Sequence, residues 1–241
     1  MINVLWMYPD ILNLHGDRAN AHAFELIGKK LGLNVNIDRV DNLDEKIDFN
    51  KYDILLFNPG ELKVIKDVVK VLNKQKKDLE KYINDNKVIL TIGTSISIFG
   101  NDILRKDNTS FKGLNLIDID IKERNTVIGD DLYFKFNDME IMGCQIQMID
   151  IDIKDEIPFG NIIYGYGNIG KKDEGIIKNN VICTNTLGPI LVKNPWLCEY
   201  LFDIVIKNKD LKIDKNKVNY DLEIDSLNSC KEFINQKIKE W

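Results

Sequence analysis

The sequence predicts an α/β fold: a mostly parallel sheet with helices on both faces, and additional strands in the second half. Three observations predict it. Through the first half, short apolar runs alternate with longer segments of helical apolar spacing. That order buries a sheet between two layers of helix. The apolar runs are continuous, as in strands covered on both sides. After Gly113 the pattern changes, and short apolar segments alternate with polar ones as in further strands.

Residues 2–7 form the first strand, which ends in a loop at Pro9. Residues 19–31 read as a helix, with Ala23, Leu26, Ile27 and Leu31 at helical spacing and Gly32 as the stop. Val35, Ile37 and Val40 mark a second strand, and Tyr52 to Phe57 a buried third that closes at Asn58-Pro59-Gly60. Residues 62–85 are helical, with a break near the polar run Asn73 to Lys77. Val88 to Ile92 is the next buried strand. It runs into Gly93-Thr94-Ser95 and an apolar helix start, Ile96-Ser97-Ile98-Phe99. Gly113 to Tyr166 holds several strands, Val181 to Thr184 another, and Pro195 to Ile206 a helix. Lys207 to Asp221 reads as a polar, mobile connector. Ser226 to Trp241 is amphipathic, with Leu227, Cys230, Phe233, Ile234 and Ile238 on one face. The expected organisation is a domain over residues 1–206, then a connector and helix over 207–241. Chemistry in an open parallel sheet gathers at the carboxyl ends of its strands. Three such ends stand out: Tyr8 to Asp17, Asn58 to Glu61, and Gly93 to Ser95.

Composition excludes several classes. The chain has 241 residues, 44% of them hydrophobic, which is enough for a large core. The net charge is -5 and no basic run stands apart from acids, so nucleic acid is not an expected partner. No apolar run approaches the ~20 residues of a membrane span. Met1 to Trp6 lacks a basic region before its apolar run and reads as a strand, not a signal peptide. Cys144, Cys183, Cys198 and Cys230 show neither close pairing nor metal-ligand spacing. Free thiols in a reducing cytoplasm are the expectation, with no metal and no cofactor. The only histidines are His15 and His22.

A series of motifs carries a resemblance. Asn13-Leu14-His15-Gly16-Asp17-Arg18-Ala19-Asn20 comes first. Then follow Tyr52-Asp53-Ile54, Leu90-Thr91-Ile92, Phe99-Gly100 and Ile128-Gly129-Asp130. Gly165-Tyr166-Gly167-Asn168, Glu174-Gly175 and Gly188-Pro189-Ile190-Leu191 complete the series. In that order the motifs resemble GatD-type subunits of the cobyric-acid-synthase-like class I glutamine amidotransferases. The resemblance spans roughly residues 1–206. It implies a flavodoxin-like class I amidotransferase fold. It also implies hydrolysis of glutamine to supply ammonia, and a MurT-like Mur ligase partner in lipid II amidation.

The departures fall on the chemistry. The family's turn reads Leu-Thr-Ile-Cys-Gly-Gly, so its nucleophile position holds Gly93, which has no side chain to attack with. The family's histidine precedes Gly-Pro-Ile-Leu, and Leu187 stands there. The oxyanion loop is Asn58-Pro59-Gly60, where proline removes an N–H donor. The glutamine-holding Asn-His-x-Gly-Arg segment aligns with Ile146 to Asp150, which puts an acid in place of the arginine. The resemblance therefore implies a vestigial pocket of Asn58, Pro59, Gly60, Thr94 and Ser95, and no standard catalytic residue.

Two functions stay open on these residues. One is a non-catalytic partner of the ligase, with Asn13, His15, Asp17, Arg18 and Asn20 as an interface. The other is activity through a relocated Thr94 or Ser95 hydroxyl, which needs a base; His15, at a strand end, could approach the same face. A small-molecule-binding module is a third. Plainer readings stand beside these. Cys144 and Cys183 are small buried apolar residues. Asp17 is a helix N-cap. His15 has a packing role, and Gly165 to Asn168 is a turn. Gly-Thr-Ser lacks the lysine of a phosphate loop.

Overall fold

The computed structural model describes residues 1–170 and 172–240; Trp241, the last residue of the expected C-terminal helix, lies outside them. Four parallel strands start the main sheet: β1 (Ile2–Met7), β2 (Val35–Val40), β3 (Ile54–Phe57) and β4 (Val88–Ile92). Helix α1 (Ala19–Lys30) links β1 to β2, and α2 (Leu62–Leu72) and α3 (Lys76–Asn84) link β3 to β4. A 3₁₀ turn, Asn73–Gln75, breaks the α2–α3 stretch at the polar run. In α2, Leu62, Ile65, Val68, Val69 and Leu72 are buried at helical spacing. α1 buries Ala23 and Ile27 in the same way, whereas Leu26, expected beside them, is exposed.

β3 and β4 are buried at every residue. One face carries Leu5, Leu55, Phe57 and Ile89 against α2 and α3. The other carries Val4, Leu56, Leu90 and Ile92 against α1 and a later helix. The period of two sends alternate residues into the two cores.

The chain departs from expectation after β4. Gly93–Ile98 is a 3₁₀ turn and no α-helix follows. The carbonyls a helix would use are claimed from elsewhere. Ile98 O accepts from Leu114, Phe99 O from Leu116 and Ile117, and Gly100 O from Asn115. A second sheet is inserted here. It contains β5 (Asp102–Leu104), β6 (Ser110–Lys112), β7 (Asp120–Phe136), β8 (Met139–Asp152), β9 (Gly160–Tyr164) and β10 (Asp173–Glu174). β7 and β8 form a long hairpin whose Asn137 takes a positive φ at the turn. One end of the hairpin packs Ile121, Ile149 and Ile151 into the first core. The other packs Leu132, Phe134 and Ile141 into the second. The register breaks between Glu123 and Ile128.

The chain then returns to the main sheet with β11 (Ile176–Lys178) and β12 (Val181–Thr184). β12 pairs parallel to β4, giving the order β11-β12-β4-β3-β1-β2. α4 (Ile190–Lys193) and α5 (Pro195–Asn208) follow, and α6 (Asp221–Glu240) ends the described chain. The connector between α5 and α6 has no regular structure but is tied down. Lys215 bridges Glu199 and Asp203, and Asn216 N donates to Leu31 O. α6 starts earlier than expected and, among the described residues, buries only Leu227 and Ile234. Phe233 and Ile238, expected on the same face, are exposed. Among the described residues no helix is long and apolar enough to cross a membrane.

Asn194, fully buried, joins the two halves. Its Oδ1 accepts from Met142 N, and its Nδ2 donates to Met142 O and Ile190 O, all at 2.8 Å. Asn194→Ala orphans two buried backbone groups, Met142 N and Met142 O, because Ile190 O keeps the Asn194 N–H. Each costs roughly 1 kcal/mol or more, so urea unfolding is expected to show a loss of about 2 kcal/mol with little change in m-value.

Candidate functional site

The site lies where β4 ends. Gly93 sits at φ 58°, a left-handed conformation that disfavours a side chain. A Cβ built there would lie 3.2 Å from Pro59 Cβ and 3.7 Å from Leu187 Cδ2. Positions 93 and 187 therefore face each other, although they are far apart in sequence. Leu187 is held by backbone bonds with Cys144 on β8. Cys144 N donates to Leu187 O at 3.1 Å, and Leu187 N donates to Cys144 O at 2.8 Å. Gly188 follows at φ 88°, and a Cβ there would strike Cys144 Sγ at 2.8 Å.

The hydroxyls beside Gly93 are already engaged. Thr94 Oγ1 donates to Gly60 O and accepts from Gly60 N at 3.1 Å. Ser95 Oγ donates to Asn58 O at 2.6 Å. Both side chains are buried. Two positions of the loop therefore offer no donor to an oxyanion: Pro59 has no N–H, and that of Gly60 is bound to Thr94. Asn58, Pro59 and Gly60 thus form a closed strut.

The space left between these elements is about 10 Å³, lined by His15, Pro59, Gly93, Thr94, Asn185 and Leu187 among others. That is room for about one water. Residues 146–149 of β8 cover it. His15 reaches the cavity at φ 60°; the residue is exposed on its outer side, and partial burial of the ring against the cavity lowers its pKa. Among the described residues, no hydrogen bond joins it to Thr94, whose proton is directed to Gly60.

The N-terminal motif divides. Asn13 and His15 are exposed, and Arg18 is half-exposed and pairs with Asp10 at 2.9 Å. Asp17 and Asn20 are fully buried, which corrects their reading as interface residues. They join segments distant in sequence. Asp17 Oδ1 accepts from Asn20 Nδ2 at 3.3 Å, the Gly188 backbone N–H acts on the same carboxyl, and Asn20 Oδ1 accepts from Leu191 N at 2.9 Å. Nor does Asp17 cap α1, whose N-cap position is Arg18 with no side-chain bond. Burial raises the Asp17 pKa from 3.8 to about 7, against the lowering effect of the Gly188 and Asn20 bonds. Its Oδ2 is buried without a partner.

A buried polar network, missed at the level of sequence, supports the strand that leads to Leu187. Glu174 accepts from Thr184 Oγ1 at 2.6 Å, Asn185 N at 2.7 Å and Asn185 Nδ2 at 3.1 Å. Burial raises its pKa in spite of these donors. Asn168 Nδ2 donates to Gly175 O and Asn168 Oδ1 accepts from Asn185. The motifs Gly165–Asn168 and Glu174–Gly175 thus meet inside the protein. Their polar character was the available signal, but the pairing was not. At the far end of the covering segment, Asp150 pairs with Arg124 at 2.6 Å. The same guanidinium lies 4.8 Å over the Tyr166 ring.

Cys144, Cys183 and Cys198 are all disfavoured as thiolates. Cys183 and Cys198 are fully buried, and burial pushes both thiols far up. Cys144 is half-buried, and burial raises it as well. Among the described residues no group of three His, Cys, Asp or Glu could hold a metal.

A parallel sheet flanked by helices, with a strand-end turn facing a segment from the second half, defines a glutamine amidotransferase fold. The chain belongs to the CobB/CobQ-like glutamine amidotransferase domain family, which matches residues 3–195. Among individual proteins, it is 27% identical over 225 residues to the lipid II isoglutaminyl synthase (glutamine-hydrolyzing) subunit GatD of Staphylococcus aureus, covering 92% of each chain. The Streptococcus pneumoniae subunit of the same name is also 27% identical, over 221 residues, covering 86% of this chain and 82% of that one. Solved structures share the fold. A glutamine amidotransferase superposes with TM-score 0.58 at 12% identity, covering 85% of this chain and 99% of that one. A chain of PurLQS from Thermotoga maritima gives 0.56 at 13%, covering 86% and 98%.

Proposed function

We propose that this chain is a GatD-like subunit that no longer hydrolyses glutamine and acts as the non-catalytic partner of a MurT-like Mur ligase. The ligase would amidate peptidoglycan precursors or run a related ligation. The observation that carries the reading is the facing of Gly93 and Leu187. Neither can attack a carbonyl or accept a proton. The engagement of Thr94 and Ser95 with the 58–60 loop supports it, because no free hydroxyl stands beside Gly93. A cavity of about 10 Å³ also argues against the small-molecule module. The relatives are named as subunits, which supports a partner for this chain, and exposed Asn13 and His15 remain available to it. Four free cysteines fit a cytoplasmic role.

The test is co-expression with the ligase encoded beside this chain. A stable complex, burying on the order of 1,600 Å², is expected to survive gel filtration. Neither the chain nor the complex should release ammonia from glutamine, while ammonium should support ligation. If the ligase neither co-purifies nor changes in stability or activity, the partner reading fails. The presence of His15 at the cavity keeps one other reading in view. Ammonia release that disappears in Thr94→Ala would establish a relocated hydroxyl nucleophile.

A further inference from the structure

α6 stands apart from both cores. Among its described residues only Leu227 and Ile234 are buried, in a separate small cluster with Tyr133 of β7 and Met142 of β8. Tyr164 of β9 and Trp196 of α5 edge that cluster. Three acids rim it. Glu140 holds Lys231 at 2.7 Å, and Asp130 and Asp131 hold Lys237 at 3.1 and 3.5 Å. Lys231 lies 5.9 Å over the Tyr133 ring, and Lys237 5.5 Å over the Tyr164 ring. Cys230 packs at the edge of the same cluster, while Leu222, Phe233 and Ile238 are exposed. α6 follows a segment without regular structure, and Asn219 Oδ1 accepts from Asp221 N at its start.

We propose that this face of the β7–β9 sheet is a docking surface for a lysine-bearing amphipathic helix of a partner protein, and that α6 is a detachable strap occupying it in cis. The uncovered patch would present tyrosine, methionine and tryptophan, the residues enriched at protein interfaces. Its acidic rim selects a helix that carries lysines on the apposed face, as α6 does with Lys231 and Lys237, whatever the helix's net charge. α6 shows the pattern that fits: apolar residues seven apart, with lysines four and ten positions after the first. A helix held by two buried side chains and partly exposed ion pairs opens more readily than the strands beneath it. The surface lies on the sheet's outer face, so the inference does not depend on the state of the glutaminase site.

The experiment uses the full-length chain carrying Leu227→Asp and Ile234→Asp, which releases α6. The probe is a fluorescein-labelled synthetic peptide of residues 221–240. The released variant is expected to bind the peptide saturably. Wild type should bind at least about tenfold more weakly, because α6 competes in cis. Adding Asp130→Lys and Glu140→Lys to the released variant should weaken binding at least about tenfold, and raised salt should do the same. Hydrogen exchange on wild type provides a reading that no variant can confound: α6 amides should exchange far faster than those of β4. No saturable binding by a folded released variant would overturn the proposal. So would α6 amides as slow as those of β4. Self-association of the released variant without peptide would make a second copy the occupant and overturn the partner assignment.

Discussion

A chain carrying only Gly93→Cys and Leu187→His is expected to hydrolyse glutamine at least about 100-fold more slowly than one that also carries Pro59→Gly, Thr94→Gly and Ser95→Gly. Removing a single oxyanion donor typically costs about 100- to 1000-fold in kcat. Here two donors of the loop are absent: Pro59 lacks an N–H, and the N–H of Gly60 is bound to Thr94 Oγ1. The Thr94 and Ser95 bonds also hold the loop against the turn, where the cavity is about 10 Å³. The two-site variant is strained as well. A cysteine at φ 58° takes a left-handed conformation, with its Cβ 3.2 Å from Pro59, at a cost of order 1–3 kcal/mol. Steady-state ammonia release by both variants decides the matter. Equal rates would mean that the 58–60 loop does not limit catalysis.

Asp17→Asn is expected to stabilise the protein, and only on the alkaline side. The Asp17 pKa rises from 3.8 to about 7 in the fold, chiefly by burial. Between those values the native state binds a proton that the unfolded state has released. Stability therefore falls as pH rises from about 4 to 7, and levels off above that. Three pKa units correspond to about 4 kcal/mol as an upper bound. The asparagine keeps an acceptor for the Gly188 N–H and removes the ionisation. The stability difference between variant and wild type should thus be small at pH 4 and grow to a few kcal/mol by pH 8. Urea midpoints across that range measure it. A difference independent of pH would mean that Asp17 is not titrating there. Glu174 contributes with the same sign in both proteins and cancels in the comparison.

Much of the main sheet was legible because its information is local. Each of β1, β3 and β4 is an apolar run closed by a turn, and α2 and α3 carry their own periodicity and their own break. The 3₁₀ turn after β4 was not legible. Ile96, Ile98 and Phe99 have apolar helix character, but the carbonyls of Ile98, Phe99 and Gly100 are taken by residues 114–117, a contact no local pattern encodes. The burial of Asp17 and Asn20 was hidden for the same reason: their partners, Gly188 and Leu191, lie at the other end of the domain. At the site, Gly93 and Leu187 came together through a resemblance and not through spacing. The resemblance could not reveal that Thr94 and Ser95 hold the neighbouring loop shut. That depended on where two hydroxyl protons point.

The order of strands also shapes how the protein assembles. β12 completes the main sheet by pairing with β4, yet the whole second sheet lies between them in the chain. The loop this pairing closes is long, and long-range strand pairing slows folding because chain entropy is lost before the contacts compensate. Collapse of the β7–β8 hairpin, whose partners are adjacent in sequence, shortens that loop first. Met142, through Asn194, and Cys144, through its bridge to Leu187, then fix the segment that follows β12 in place. Until that moment β4 has only one neighbour, β3, and its other edge is an open template for pairing with another chain. Synthesis from the N-terminus prolongs this interval, so aggregation during expression is expected to follow how quickly the inserted sheet closes more than the stability of the finished fold.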